Sequence, residues 1–189
     1  MNIVIIGGTF NPVHFGHLFL AETVRTGFGY SRVLFVPTYL PVHKDPAPLA
    51  EAAHRLEMLR IATRPYPEFV VDDCEIRRGD RSYSIDTVRE IITRYGLLSK
   101  PGFLIGDDLL KGFHQWKEPD ALVASTRLIV AHRHRPDVHP FAYAHDCVDN
   151  PVLSISSSQI RDRVRAGESI RFLLPDSVVE YIDENGLYN

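Results

Sequence analysis

The sequence lacks most of the features that would settle its class at a glance. It has two cysteines, Cys74 and Cys147, far apart and outside any CxxC pattern. That excludes a disulfide framework and a thiolate metal site, and reads as two reduced thiols. It has no surplus of positive charge: 21 Lys and Arg stand against 24 Asp and Glu, for a net charge of -3. No general attraction to nucleic acid or an anionic membrane follows, although a local basic pocket for a phosphorylated small molecule stays open. No apolar run approaches the roughly 18 residues of a membrane span. The first twenty residues have no basic stretch, and Gly7-Gly8-Thr9 interrupts the apolar run after Ile6. No signal peptide is expected, and a cytoplasmic location is. Two common phosphate-binding patterns are also missing: GxxxxGK[ST], and GxGxxG after the first strand. Their absence argues against a P-loop ATPase and a dinucleotide-binding dehydrogenase.

What is there is an alternation. The 189 residues suit one well-buried α/β domain, and 44% hydrophobic with 24% charged residues is ordinary for a globular chain. Short apolar runs predict strands at Ile3–Ile6, Val33–Pro37, Phe69–Cys74, Phe103–Ile105, Leu128–Ala131 and Val152–Ile155. Helical patterns lie between and after them, at Leu18–Arg25, Glu51–Thr63, Ile85–Tyr95, Leu109–Trp116, Pro119–Ala124, Ser158–Ala166 and Pro175–Glu184. Gly27, Gly96 and Gly167 punctuate helix ends, and Ser84 is placed as an N-cap with Asp86 in the first turn. The pattern predicts an α/β fold with a doubly wound, Rossmann-like, mostly parallel sheet of about six strands and helices on both faces. It is expected to form a single domain over 1–189, with a small C-terminal helical extension from about residue 156. Two loops lack any period: Thr38–Ala50, rich in proline, and His132–Asp146, rich in histidine and arginine. Loops at the carboxyl ends of parallel strands are where such sheets bind ligands.

Two stretches carry chemistry. The first is "GGTFNPVHFGH", Gly7 to His17. Gly7 and Gly8 let the backbone turn sharply and approach a ligand. A helix start follows, with unpaired N–H groups and the positive end of a macrodipole, flanked by His14 and His17. This is a phosphate cradle without a Walker lysine. The second stretch, "LSISSSQIRDRVRAG", runs from a strand into Ser156, Ser157 and Ser158, with Arg161 one turn into a helix. Hydroxyls, helix-start N–H groups and a guanidinium make a second phosphate clamp. Arg163 and Arg165 read as solvated. Because the clamps follow the first and last predicted strands, a polyphosphate could bridge them if both strand ends meet at the switch point.

These residues resemble known signatures. "GGTFNPVHFGH" is similar to the (H/T)xGH signature of the nucleotidyltransferase superfamily, and "ISSSQIR" to its ISSTxIR. Intermediate segments resemble one branch, the bacterial nicotinate-nucleotide adenylyltransferases: "LPVHK", "RLEMLRIA", "RSYSIDTV", "IGDDLLKGFHQW" and "LPDSVVEYIDENGLY" occur in order along nearly the whole chain. The resemblance implies adenylyl transfer from ATP to nicotinate mononucleotide, giving deamido-NAD and pyrophosphate. It implies catalytic roles for His14, His17, Lys44 and Arg161. ATP would be bound by Gly7, Gly8, Thr9, Phe10, His14, His17, Gly106, Asp108, Ile155, Ser156, Ser157, Ser158 and Arg161. Nicotinate mononucleotide would be bound by Asn11, His43, Lys44, Tyr83, Ser84, Trp116, Arg133 and Arg135. The lone tryptophan, Trp116, becomes a stacking platform for the pyridine ring, and Arg133 and Arg135 compete to bind the substrate phosphate. Mg²⁺ would arrive on ATP phosphates rather than in a protein cage, so no protein metal site is expected. No nucleic-acid or membrane partner is implied, and a homo-oligomer stays open.

Three departures stand out. Asp107 replaces the alanine usual in the IGAD segment, either turned from the phosphates or assisting the metal. Asp137 stands in a longer "HRHRPDVHP" where RPG is usual. His132, His134, His139 and His145 fit no standard zinc spacing and read as a solvated loop. Pantetheine-phosphate adenylyltransferase is a runner-up that lacks the serine-tyrosine and tryptophan segments found here. A nucleotide-binding sensor without turnover is argued against by His14, His17 and Arg161.

Overall fold

The computed structural model describes residues 1–40, 50–132, 141–151 and 153–189. Its six strands are β1 (Ile3–Gly8), β2 (Arg32–Pro37), β3 (Phe69–Val71), β4 (Gly102–Gly106), β5 (Arg127–Ala131) and β6 (Asp146–Val148). They form one sheet in the order β3-β2-β1-β4-β5-β6, and every neighbouring pair is parallel. The strand order reverses between β1 and β4. The carboxyl ends of those two strands therefore flank the crevice where an open α/β sheet takes its ligands.

The helices are α1 (Phe15–Gly27), α2 (Ala52–Thr63), α3 (Cys74–Arg78), α4 (Ser84–Arg94), α5 (Pro119–Ser125), α6 (Ser157–Arg165) and α7 (Asp176–Glu184). A 3₁₀ helix covers Asp107–Gln115. Successive side chains of a strand point to opposite faces, and β1 shows the consequence. Val4 and Ile6 enter one apolar cluster, while Ile3 and Ile5 enter another. The first cluster gathers α1, α2, α6 and α7 through Leu18, Val24, Met58, Leu59, Ile160, Val178 and Ile182. The second gathers α3, α4, the 3₁₀ helix and α5 through Cys74, Ile85, Val88, Ile91, Phe113 and Leu122. Both faces of the sheet are thus covered, which is the doubly wound arrangement expected from the alternating pattern.

Three elements differ from the sequence reading. The sixth strand is Asp146–Val148, not Val152–Ile155. It is an edge strand, paired on one side with Ile129, Val130 and Ala131, so it needs no continuous apolar run. Leu153 to Ile155 instead makes a tight turn, with Ile155 N–H donating to the Leu153 carbonyl at 2.7 Å; Val152 lies outside the described residues. The third strand stops at Val71. The Asp72 carboxylate accepts the Cys74 N–H at 3.0 Å and turns the chain into α3, a helix the apolar pattern hides. Ser84 is the first residue of α4 rather than its cap; Tyr83 holds the cap position with no side-chain cap bond.

Candidate active site

The turn from β1 to α1 is built around Phe10. Its backbone is in the left-handed region at φ 47°, and its ring is 2% exposed. The ring folds back over Gly8, where a Cβ would come within 3.0 Å of it. A Cβ on Gly7 would meet nothing within 4 Å, so the strand end is open above that residue. The Asn11–Pro12 peptide that follows is cis. His14 takes the N-cap position of α1 and His17 its third residue. Their imidazoles stack with centroids 3.7 Å apart, and Phe10 packs edge-on to His17 at 5.1 Å. His17 Nδ1 accepts the backbone N–H of His14 at 3.3 Å. In a neutral ring that leaves the proton on Nε2, which is thereby a donor. His14 is 6% exposed, so the pair is set rigidly at the positive end of α1.

The second clamp meets this turn. The Arg161 guanidinium, on α6, donates through Nη1 to the Asn11 carbonyl at 2.8 Å and through Nη2 to Ser158 Oγ at 3.1 Å. Ser157 Oγ donates to the Pro12 carbonyl at 2.8 Å. Ser156 caps α6: its hydroxyl accepts the Gln159 N–H at 3.2 Å, and the Gln159 side chain accepts the Ser156 N–H at 3.0 Å. Ile155 leads into the cap, its carbonyl 3.7 Å from where a Gly16 Cβ would stand. Residues 155–161 and 7–17 thus share one corner although the chain separates them by over a hundred positions. The Ser157 and Arg161 side chains hold that corner together, and Arg161 is only 8% exposed. Arg163 and Arg165 are exposed and pair with Glu168 and Asp162.

On the other side of the switch point, Ile6 pairs with Leu104, which places Gly106 at the level of Gly8. Asp107 and the exposed Asp108 open the 3₁₀ helix there. Asp107 faces His132 at the end of β5, carboxylate to Nδ1 at 3.5 Å. Asn150 grips the same residue through both amide atoms, accepting the His132 N–H at 3.1 Å and donating to its carbonyl at 3.0 Å.

Tyr83, Ser84 and Trp116 lie on the α4 side. Lys117 joins them: its ammonium pairs with Asp86 at 2.8 Å and lies 5.0 Å above the Tyr83 ring. Trp116 is half-buried and packs on Phe113 at 4.9 Å. Phe141 and Tyr143 close on Phe113 from its other edges. This aromatic group was hidden in the histidine-rich loop, where the alternating "FAYAH" was its signal. His43, Lys44, Arg133, Arg135, His134, Asp137 and His139 lie outside the described residues.

Three further residues carry no role in the sequence reading. Arg55 is 1% exposed. Its guanidinium donates to the carbonyls of Thr9 (2.8 Å), Thr38 (2.7 Å), Tyr39 (2.9 Å) and Ala50 (3.1 Å). Burial pushes its pKa down. The available signal was an arginine in register with Leu59 and Ala62 on the apolar stripe of α2. Tyr188 donates to Asn11 Oδ1 at 2.9 Å, and burial pushes its hydroxyl pKa up against the pull of Arg161 and Arg55. Glu75 is 8% exposed, accepts the Thr87 hydroxyl at 2.7 Å, and is raised above its ordinary pKa first by burial.

A family model described as cytidylyltransferase-like matches residues 5–163. A probable nicotinate-nucleotide adenylyltransferase of Borreliella burgdorferi is 39% identical, the alignment covering 100% of this chain and 97% of that one. One of Dictyoglomus thermophilum is 37% identical and covered over 100% of both chains. Among solved structures, Plasmodium falciparum nicotinic acid mononucleotide adenylyltransferase complexed with NaAD superposes with a TM-score of 0.81 at 21% identity, over 99% of this chain and 97% of that one. At that identity the superposition shows the shared fold.

Proposed function

Because the chain belongs to the cytidylyltransferase-like family and, within it, to the nicotinate-nucleotide adenylyltransferases, we infer that it joins ATP and nicotinate mononucleotide into deamido-NAD and pyrophosphate. The observation that carries this reading is the corner at the switch point. There the His14–His17 stack and the Arg161–Ser157 pair are bonded into one turn. Donors and positive charge converge from both ends of the chain, as a triphosphate requires.

In the reaction, a phosphate oxygen of nicotinate mononucleotide bonds to the α-phosphorus of ATP. The bond from the α-phosphorus to the α,β-bridging oxygen breaks, and pyrophosphate leaves with the electron pair. The nucleophile is already an anion, so no general base is needed. Catalysis reduces to positioning and charge neutralisation. His17 donates through Nε2 to the phosphate oxygens as charge builds, and His14 backs it. Arg161 and the helix-start N–H groups of Ser157 and Ser158 favour the β,γ-end. Gly7, Gly8, Thr9, Phe10, Gly106 and Asp108 would form the ATP side of the crevice. Tyr83, Ser84 and Trp116 would hold the nicotinate half, with Lys117 bridging Tyr83 and Asp86. Asn11 differs from the other described residues assigned to nicotinate mononucleotide: it is 3% exposed and its Oδ1 is engaged by Tyr188 and Ala50. Its part is to shape the turn. Lys44, with His43, keeps the phosphate role the family pattern gives it, and either Arg133 or Arg135 takes the substrate phosphate.

Mg²⁺ is read as a passenger on the ATP phosphates. Phosphate oxygens and water would supply its ligands, and its charge would help neutralise the leaving group. No helix among the described residues is long and apolar enough to cross a membrane; a cytoplasmic enzyme acting on small molecules alone is the reading we adopt.

The test is pyrophosphate release with ATP and nicotinate mononucleotide, for wild type and His17→Ala. We expect His17→Ala to cut kcat about 100-fold while ATP binding weakens far less, because its contact strengthens in the transition state. An unchanged kcat in that variant would refute the role given to His17.

A further inference from the structure

We propose that Arg55 and Tyr188 are positioning residues for adenylyl transfer: they anchor, at the Thr9 carbonyl and at Asn11 Oδ1, the Thr9–Pro12 turn that sets His14 and Arg161. The proposal rests on the adenylyl-transfer reading and extends it to two residues outside the phosphate corner.

The turn is held almost wholly by groups from elsewhere in the chain. Its Thr9, Asn11 and Pro12 carbonyls accept from Arg55, Arg161 and Ser157, each at 2.8 Å. Asn11 Oδ1 accepts from the Ala50 N–H at 3.1 Å and the Tyr188 hydroxyl at 2.9 Å. It needs holding, because Phe10 within it sits at φ 47°, a region that costs a bulky residue energy.

Arg55 is the widest of these anchors. Four of its five N–H donors reach four carbonyls on three separate pieces of chain: the turn itself, the exit of β2, and the residue entering α2. Thr38 and Tyr39 lead into residues 41–49 and Ala50 leaves them, so one guanidinium gathers both flanks of that segment against the turn. A lysine has three donors at a single point and cannot span this set. Among the described residues the partners of Arg55 are carbonyls and not a carboxylate. The positive charges of Arg55 and Arg161 lie behind the turn whose imidazoles face the expected triphosphate. They add to the field that stabilises charge on departing pyrophosphate.

Tyr188 completes the arrangement. It is the penultimate residue and itself sits at φ 72°. Its ring packs on the same apolar cluster as α1 and α2, and its hydroxyl is close enough to Arg55 and Arg161 to feel both charges. The C-terminus is thereby tied to the first turn of the chain.

The experiment compares wild type, Tyr188→Phe, Arg55→Lys and the double variant by steady-state kinetics, thermal melting and hydrogen exchange of residues 8–13. Tyr188→Phe keeps the ring and removes one donor. We expect its kcat to fall about 5-fold, with both KM values within about twofold and the melting temperature nearly unchanged. Arg55→Lys should lower kcat about 100-fold, again with little change in KM. Exchange over 8–13 should rise in both, and the double variant should lose less than the product of the single losses. If Arg55→Lys does not fold, Tyr188→Phe decides alone. Unchanged kcat in Tyr188→Phe overturns the proposal. So does a rise in KM with kcat intact, or unaltered exchange over 8–13. Absence of deamido-NAD formation by wild type would overturn the functional reading instead, and the exchange measurement would still decide the anchoring.

Discussion

Replacing Gly16 by alanine should separate catalysis from stability. Gly16 is the second residue of α1, between the two imidazoles in sequence. A Cβ built there would lie 2.9 Å from His14 Nδ1 and 3.0 Å from Cε1, against ordinary contact at 3.4 Å or more. The His14 ring must therefore move by about 0.5 Å. It has little freedom to do so, being 6% exposed and stacked on His17 at 3.7 Å. Two stability effects oppose each other. Alanine is better than glycine in a helix by about 1 kcal/mol, and crowding a packed site costs about 1–3 kcal/mol. The net change should stay near 1 kcal/mol, a shift of about 2–4 °C in a chain of this length. Catalysis has no such offset. If a 1 Å misplacement can cost about 100-fold, then 0.5 Å should cost about tenfold, or about 1.4 kcal/mol of transition-state stabilisation. The assay is pyrophosphate release under saturating ATP and nicotinate mononucleotide, paired with a thermal melt. A kcat within twofold of wild type would refute the reasoning, because the imidazole stack would then not need its present geometry. A melting temperature lowered by more than about 8 °C would refute it differently, by making the loss one of folding.

Other substitutions test the frame around the site. Gly102→Ala would put a Cβ 2.6 Å from the hydroxyl of Tyr30, which is 4% exposed, and 3.0 Å from Val4. It should cost about 1–3 kcal/mol of stability, read by denaturant unfolding, with kcat of the folded enzyme intact. Glu75 binds its proton more tightly in the folded chain than its ordinary value of 4.5, so the native state holds more protons than the unfolded one just above that value. Its contribution is fully present below pH 4.5 and is lost as pH rises through the folded pKa. Glu75→Gln should therefore melt higher than wild type at neutral pH, with the advantage vanishing toward pH 4.5. An advantage that does not change with pH would contradict this.

How far the sequence could be read depended on what each element had to bury. β1, β2, β4 and β5 are covered on both faces and must be apolar throughout, so Ile3–Ile6 and Leu128–Ala131 announced themselves. β6 lies at the edge and needs only a ladder to Ile129–Ala131, which "DCV" supplies without an apolar signal. α3 begins with an aspartate turn at Asp72 and ends at Gly79 in the left-handed region; these local cues were overridden by the valines before them. In the site, the histidines and Arg161 were legible as residue types near strand ends. Their meeting was legible only as a consequence of strand order. The role of Ser156 as a cap is a local bond to Gln159, three residues on, but that of Asn11 as a buried acceptor depends on Tyr188, more than a hundred residues away, which no local pattern encodes. Arg55 opens the segment "RLEMLRIA" that resembles the family, but its role was concealed, because its partners are four backbone carbonyls, and a carbonyl has no signature in a sequence.

The central claim is adenylyl transfer to the acid form of the pyridine mononucleotide. Initial rates with ATP and either nicotinate or nicotinamide mononucleotide, each product identified by mass, test it most directly. The account predicts deamido-NAD and pyrophosphate in equal amounts from the acid form, and slower turnover of the amide. No dinucleotide from the acid form, or turnover of the amide at an equal or higher rate, would contradict it.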